Sequence, residues 1–105
     1  MPLFVIQSLD HDNVLDKRMS ARPEHLARLQ ALDAAGRLIV AGPMPIDAND
    51  TSKGFLGSTI IVDFDSRESL DAWLTDEPYA KAGVYKSVDV KPFIKALPQS
   101  AVQDK

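Results

Sequence analysis

The side chain best suited to chemistry in this sequence is His25. Within Pro23-Glu24-His25-Leu26-Ala27-Arg28-Leu29-Gln30-Ala31-Leu32, a helix turning about 100° per residue sets His25 between Leu29 and Leu32, so a titratable ring stands on an apolar face. An imidazole with an ordinary pKa of about 6.5 exchanges protons near neutrality. There it is either a core histidine bonded to a backbone carbonyl or the acid/base of a pocket. Arg18 and Arg22 flank it, and each could hold a carboxylate or phenolate through forked hydrogen bonds; ion pairs with Asp16 or Glu24 are the alternative. Asp10 falls where a strand end would meet a helix start, as a pocket-rim acid or as a cap for the following turn. Gly42 and Pro43 bring irregular backbone toward the helix, and Ser58 adds a hydroxyl on the adjoining strand. Trp73 and Tyr79 both read first as core aromatics, although Tyr79, just after Pro78, can line the site with its phenol.

Other chemistries lack their residues. Cysteine is absent, so there is no thiolate nucleophile, disulfide framework or cysteine-based zinc site. His11 lies in a polar stretch and is expected to be exposed. The two histidines lack metal-ligand spacing, so no metal is expected. No glycine-rich dinucleotide turn or phosphate-cradling loop occurs, and no cofactor is expected. With a net charge of −3 and scattered Lys and Arg, the chain has no basic stripe for phosphates, so nucleic acid is not an expected partner. No apolar run approaches the roughly 20 residues that cross a bilayer, and Met1-Pro2-Leu3-Phe4-Val5-Ile6 has no basic leader, so the protein is expected to be cytoplasmic, with no membrane partner.

The elements that must position these residues follow from pattern. Leu3 to Leu9 is apolar and β-branched, hence a first strand. Val14 to Met19 suits a helical turn. Arg22-Pro23 then predicts a break, because the residue before proline is pushed out of the α region, and the main helix restarts at Pro23 and ends at Gly36. Leu38 to Ala41 reads as a second strand halted by Pro43 and Pro45, and the polar, turn-rich stretch Asp47 to Gly54 as a mobile, solvated hairpin tip or a lid over a pocket. Ser58 to Phe64 is a third strand, Ser66 caps a helix bearing Leu70, Trp73 and Leu74, and Pro78 to Ala82 forms a short helix stopped by Gly83. Val84 to Phe93 is the last strand.

That order predicts an α+β, ferredoxin-like βαββαβ fold with an antiparallel sheet, helices on one face. The third strand has apolar residues on both sides, so its uncovered face is expected to pair with a second copy in a homodimer. Residues 1–98 are read as one domain and 99–105 as a polar C-terminal tail.

The pattern Arg18-Met19-Ser20-Ala21-Arg22-Pro23-Glu24-His25-Leu26, then Gly36-Arg37-Leu38 leading to Ala41-Gly42-Pro43, then Gly57-Ser58, Glu77-Pro78-Tyr79, Ala82-Gly83-Val84-Tyr85 and Val90-Lys91-Pro92-Phe93 is similar to that of YciI-like proteins. The resemblance runs from Leu3 to Phe93. It implies a dimeric α/β barrel of ferredoxin-like protomers, two sheets face to face, and an active site built on a His-Asp pair; a related member acts as a dehydrochlorinase in chloroaromatic breakdown. Carried onto this chain, the histidine is His25. The family commonly has Asp before the proline of its Asp-Pro-Tyr/Phe motif; here that slot is Glu77, with Asp76 one residue earlier, and either is a candidate partner for His25. An acid also stands at the position of Asp10. The resemblance implies a small acid/base enzyme of lyase or isomerase type, acting on a small anionic or aromatic compound. The alternative is a non-catalytic dimeric module that binds a small molecule or serves as a scaffold.

Overall fold

In the computed structural model, residues 2–98 are described; the expected polar tail lies outside the described residues. The chain runs β1 (Leu3–Asp10), α1 (Leu15–Ala34), β2 (Leu38–Asp47), β3 (Asp50–Asp63), α2 (Arg67–Thr75), α3 (Pro78–Lys81) and β4 (Tyr85–Phe93). The strands form one antiparallel sheet in the order β2-β3-β1-β4, the ferredoxin-like arrangement.

Strand alternation explains the core. Phe4 and Ile6 on β1 and Ile60 and Val62 on β3 lie on one face, and Leu29, Leu32 and Leu70 from the helices pack against them with Phe64. Along β1 the same face continues through Ser8 to Asp10, and along β3 through Ile60 to Ser58, so the row that starts apolar ends polar at one end of the sheet. That polar end holds the site. The opposite face carries no helix, and its Val5, Ile61 and Val40 lie side by side across β1, β3 and β2.

Two sequence expectations change. The helix does not break at Pro23: α1 is one helix of 20 residues with Pro23 inside it. Pro23 is exposed, and Met19, whose carbonyl loses its partner, is also 53% exposed, so water can serve the freed oxygen. Continuity has a consequence, because seven residues make almost two full turns and place Arg18 and His25 on one stripe with Leu29 and Leu32, all four buried. Next, β2 continues through Pro43 and Pro45. It is an edge strand, where a missing N–H need not be replaced. Of the two readings of Asp47 to Gly54, the structure has the hairpin: Asp47 pairs with Asp50 across Ala48-Asn49, and the Asp47 carboxylate accepts from the Asn49 backbone N–H at 2.9 Å.

Candidate active site

The site is assembled from α1, the segment after α2, and the polar end of the sheet. Ser66 caps α2, accepting from the backbone N–H of Ser69 at 3.1 Å. The chain then turns through Asp76 into Glu77-Pro78, where Pro78 opens α3 without needing an N–H. Glu77 is the N-cap of α3: its two carboxylate oxygens accept from the Tyr79 backbone N–H at 3.1 and 3.3 Å. The same carboxylate meets His25, Nδ1 to Oε1 being 2.5 Å. His25 is 7% exposed and Glu77 1%.

Asp76, the other candidate partner, is thereby corrected. It is exposed at the C-cap of α2, and the capping geometry that turns Glu77 inward leaves its neighbour outside. Tyr79 completes the arrangement. Its ring stacks on the imidazole with centroids 3.9 Å apart and planes 17° from parallel, while Tyr85 meets it edge-on at 5.7 Å. Burial pushes the Tyr79 phenol above its ordinary pKa, with the Arg18 charge acting in the opposite direction.

Arg18 is buried rather than surface-paired with Asp16 or Glu24. Its Nη2 donates to the Gly57 carbonyl at 3.0 Å and to Ser58 Oγ at 2.6 Å. Its guanidinium lies 4.6 Å from the centre of the Tyr79 ring and 5.0 Å from that of Phe55. Gly57 makes this approach possible: a Cβ there would sit 1.7 Å from the Ser8 carbonyl oxygen, so only glycine lets β3 pack onto β1 while offering its own carbonyl to Arg18. The register of β3 against β2 shifts here, Met44 pairing with Gly57 but Pro45 with Phe55. The extra residue, Leu56, is exposed, and Phe55 is brought to Arg18.

His25, Arg18, Phe55, Ser58 and Tyr79 line a cavity of about 700 Å³. Of the sequence candidates, His25, Arg18, Arg22, Gly42, Pro43, Ser58 and Tyr79 border it. Arg22 is an exposed residue at its edge. Asp10 does not border it, which corrects its reading as a rim residue: the inward row of β1 places it behind Arg18, Oδ2 being 3.6 Å from Arg18 Nε, in the wall of an adjoining cavity of about 740 Å³. Burial raises the Asp10 carboxyl above its ordinary pKa, with Arg18 and then His11 opposing it. Tyr85, whose phenol is pushed well above its usual range by burial, lies in the same polar cluster as Ser58 and Ser8. Sequence reasoning missed Phe55, Ser8 and Tyr85. Ser8 could have been found, since it continues the Phe4, Ile6 alternation; Phe55 could not, because a register shift leaves no periodic trace.

Chemically, the carboxylate fixes the tautomer. Glu77 is an acceptor on one side of the ring, so Nδ1 carries the hydrogen and Nε2 is the nitrogen left for the cavity. Arg18, on the same stripe of α1, and Ser58 of β3 bring donors to the same cavity. Among the described residues no cluster of His, Cys, Asp and Glu could hold a metal ion, and no helix is long and apolar enough to cross a membrane.

The profile of the YCII-related domain matches residues 2–94. The chain belongs to the YCII-related domain family. Protein YciI of Escherichia coli O6:H1 is 54% identical over 97 residues, covering 90% of this chain and 99% of the relative. A protein of Haemophilus influenzae is 46% identical over 96 residues, covering 90% and 98%. Among solved structures, 5-chloro-2-hydroxyhydroquinone dehydrochlorinase (TftG) from Burkholderia phenoliruptrix, in complex with 2,5-dihydroxybenzoquinone, superposes with a TM-score of 0.78 at 27% identity, covering 88% of this chain and 93% of that one. The match over residues 2–94 takes in every element that builds the cavity in this YCII-related domain, from β1 to β4.

Proposed function

We propose that this YCII-related domain is a small acid/base enzyme of lyase or isomerase type that moves a proton on a small anionic or enolisable aromatic compound. One observation carries the reading: a buried carboxylate on His25 Nδ1 at 2.5 Å, with the ring bordering a cavity that Arg18 also lines. A base needs an open lone pair, a fixed tautomer and a nearby group that receives the negative charge it creates. His25 Nε2 is the base in this reading, Glu77 orients and stabilises the imidazolium, and Arg18 with Ser58 holds the developing oxyanion. Arg22, at the cavity edge, attracts the anion. The likeness to TftG, a dehydrochlorinase with a quinone-type ligand, supports a planar oxygenated substrate and a proton-abstraction step. No redox cofactor enters the step.

The protein acts as a homodimer in this proposal. The sheet face without helices exposes Val40 and Leu9 beside Val5 and Ile61, an apolar surface suited to the same face of a second copy. A non-catalytic binding module would use the same cavity without turnover.

The two are separated by incubating the protein in D2O with 2,5-dihydroxybenzoquinone and a panel of phenols and small carboxylic acids, reading carbon-bound deuterium by mass spectrometry. Wild type exchanges at least one compound, and His25→Gln, which keeps polarity but cannot exchange a proton near neutrality, slows that exchange by about 10²–10⁴-fold. Binding seen by thermal shift without exchange of any compound assigns the module role instead.

A further inference from the structure

Asp10, which the chemistry at His25 leaves unused, forms a buried pair with Arg18. Their side chains are 3% and 4% exposed, and the 3.6 Å between Nε and Oδ2 is an ion pair but too long for a hydrogen bond. Asp10 Oδ1 and Arg18 Nη1 have no hydrogen-bond partner among the described residues. Such a pair is only half satisfied. Arg18 borders both the His25 cavity and the adjoining one, whereas Asp10 borders only the latter. An anion entering from the His25 side and the Asp10 carboxylate therefore compete for one guanidinium.

The charges decide the outcome. A guanidinium carries its charge at any working pH. With Asp10 ionised the pair is neutral, and an incoming anion leaves a net negative charge away from water, where like charges repel strongly. With Asp10 protonated, the guanidinium is free for the anion and the site carries one negative charge fewer. We propose that binding of an anionic ligand at Arg18 is coupled to uptake of one proton by Asp10, which makes Asp10 a positioning residue that sets the pH range over which the site accepts its ligand. This rests on reading the cavity as an anion-binding acid/base site.

The groups around Asp10 agree. Arg18 of α1 and the neighbouring His11 favour its ionised form, but burial outweighs both. Tyr85 of β4 is its register partner, and Tyr79 of α3 is close enough to feel its charge; both phenols are pushed up by burial and stay neutral. The remaining charges of the adjoining cavity are Asp12, Lys53 and Lys86. Lys53 is held by Asp47 at 3.0 Å, and Asp12 and Lys86 are exposed. Asp10 is the buried group there with a proton to gain.

The test is calorimetric titration with 2,5-dihydroxybenzoquinone, which is doubly ionised near neutrality, in buffers of different ionisation enthalpy. Wild type should take up one proton per ligand, and its affinity should fall about tenfold per pH unit on the alkaline side. Asp10→Asn, checked for folding by urea unfolding, should bind without that uptake, with the slope reduced by one, and more tightly than wild type at alkaline pH. A second readout needs no variant: the Asp10 carboxyl ¹³C resonance should move to its protonated position when the probe is added. Binding without proton uptake, or an unmoved carboxyl resonance, overturns the proposal. So does uptake that persists in Asp10→Asn and disappears in His25→Gln, which would put the proton on the imidazole. No binding by wild type at any pH would instead overturn the anion-site reading, and this inference with it.

Discussion

Replacing Glu77 by Gln tests the central geometry without requiring a substrate. The Glu77 carboxylate accepts from His25 Nδ1 at 2.5 Å and from the Tyr79 N–H at 3.1 and 3.3 Å. Glutamine has one accepting oxygen and one donating nitrogen. If its oxygen keeps the Tyr79 N–H, its NH₂ faces Nδ1, which must then be unprotonated, and the ring hydrogen moves to Nε2. The reverse orientation sets the NH₂ against an N–H. The substitution should therefore switch the tautomer and block the cavity-facing lone pair, a change that costs about 10⁴-fold in hydrolases that orient a histidine with a carboxylate. For stability, a charge-assisted bond of about 1.5–3 kcal/mol becomes a neutral one of about 0.5–1.5, a loss of roughly 1–2 kcal/mol. Glu77→Ala also orphans the Tyr79 N–H, and adding about 0.5–2 kcal/mol for the cap brings its total to about 2–5 kcal/mol. The Gln loss is well inside the usual 5–15 kcal/mol of a domain, so that variant folds, whereas the Ala loss can take up most of the stability of a domain at the low end of that range. Urea unfolding gives the energies, and ¹⁵N spectra of the imidazole identify the protonated nitrogen. A Glu77→Gln protein whose His25 still carries its hydrogen on Nδ1 would refute the reasoning, as would an Ala variant no less stable than the Gln variant.

Gly57→Ala should lose at least about 1–3 kcal/mol, toward the high end because its Cβ meets the Ser8 backbone at 1.7 Å rather than a movable side chain; a wild-type unfolding midpoint in urea would contradict that packing. Burial raises the Asp10 pKa in the folded state, so the folded protein binds more protons there than the unfolded chain. Its contribution to stability is present below the ordinary value of 3.8 and lost as pH rises through the raised value. Subtracting the stability–pH curve of Asp10→Asn from that of wild type should leave that downward step, and a difference that rises with pH would reverse the assignment. Light scattering at micromolar concentration should report a dimer; Val40→Lys, which adds a charge to the exposed sheet face, should shift it to monomer, and a wild-type monomer would remove the sheet-to-sheet assembly.

Much of the fold was legible because it rests on local rules. The alternation of Phe4, Ile6, Ile60 and Val62, the Ser66 cap, Pro78 at a helix start and Gly83 with a positive φ of 78° each leave a sequence trace. The misreadings came from treating proline as an absolute stop. Pro23 lies on the wet side of α1, and Pro43 and Pro45 lie on an edge strand; in both places surroundings invisible in the sequence remove most of proline's cost. The error at Pro23 affected the site as well as the fold. With the helix cut there, Arg18 is a candidate anion holder with no fixed phase relative to His25, and a surface ion pair stays open to it; with the helix whole, the two share a stripe seven residues apart and face the same cavity.

The choice between Asp76 and Glu77 shows a limit of a different kind. Both are carboxylates, and spacing alone could not rank them. What separates them is the backbone at a helix start, where Glu77 is extended at φ −66° and ψ 123° and turns its side chain back over the first N–H groups of α3. A capping carboxylate is held in place by the helix it caps, so its second acceptor position is fixed in space before any ligand arrives. In this chain that position is filled by His25 Nδ1, and the residue whose N–H is capped, Tyr79, is the one whose ring stacks on the same imidazole. One side chain thus sets the tautomer of the base and secures the ring that covers it. Loss of the cap should therefore disturb chemistry and packing together, whereas a change confined to the imidazole should disturb chemistry first.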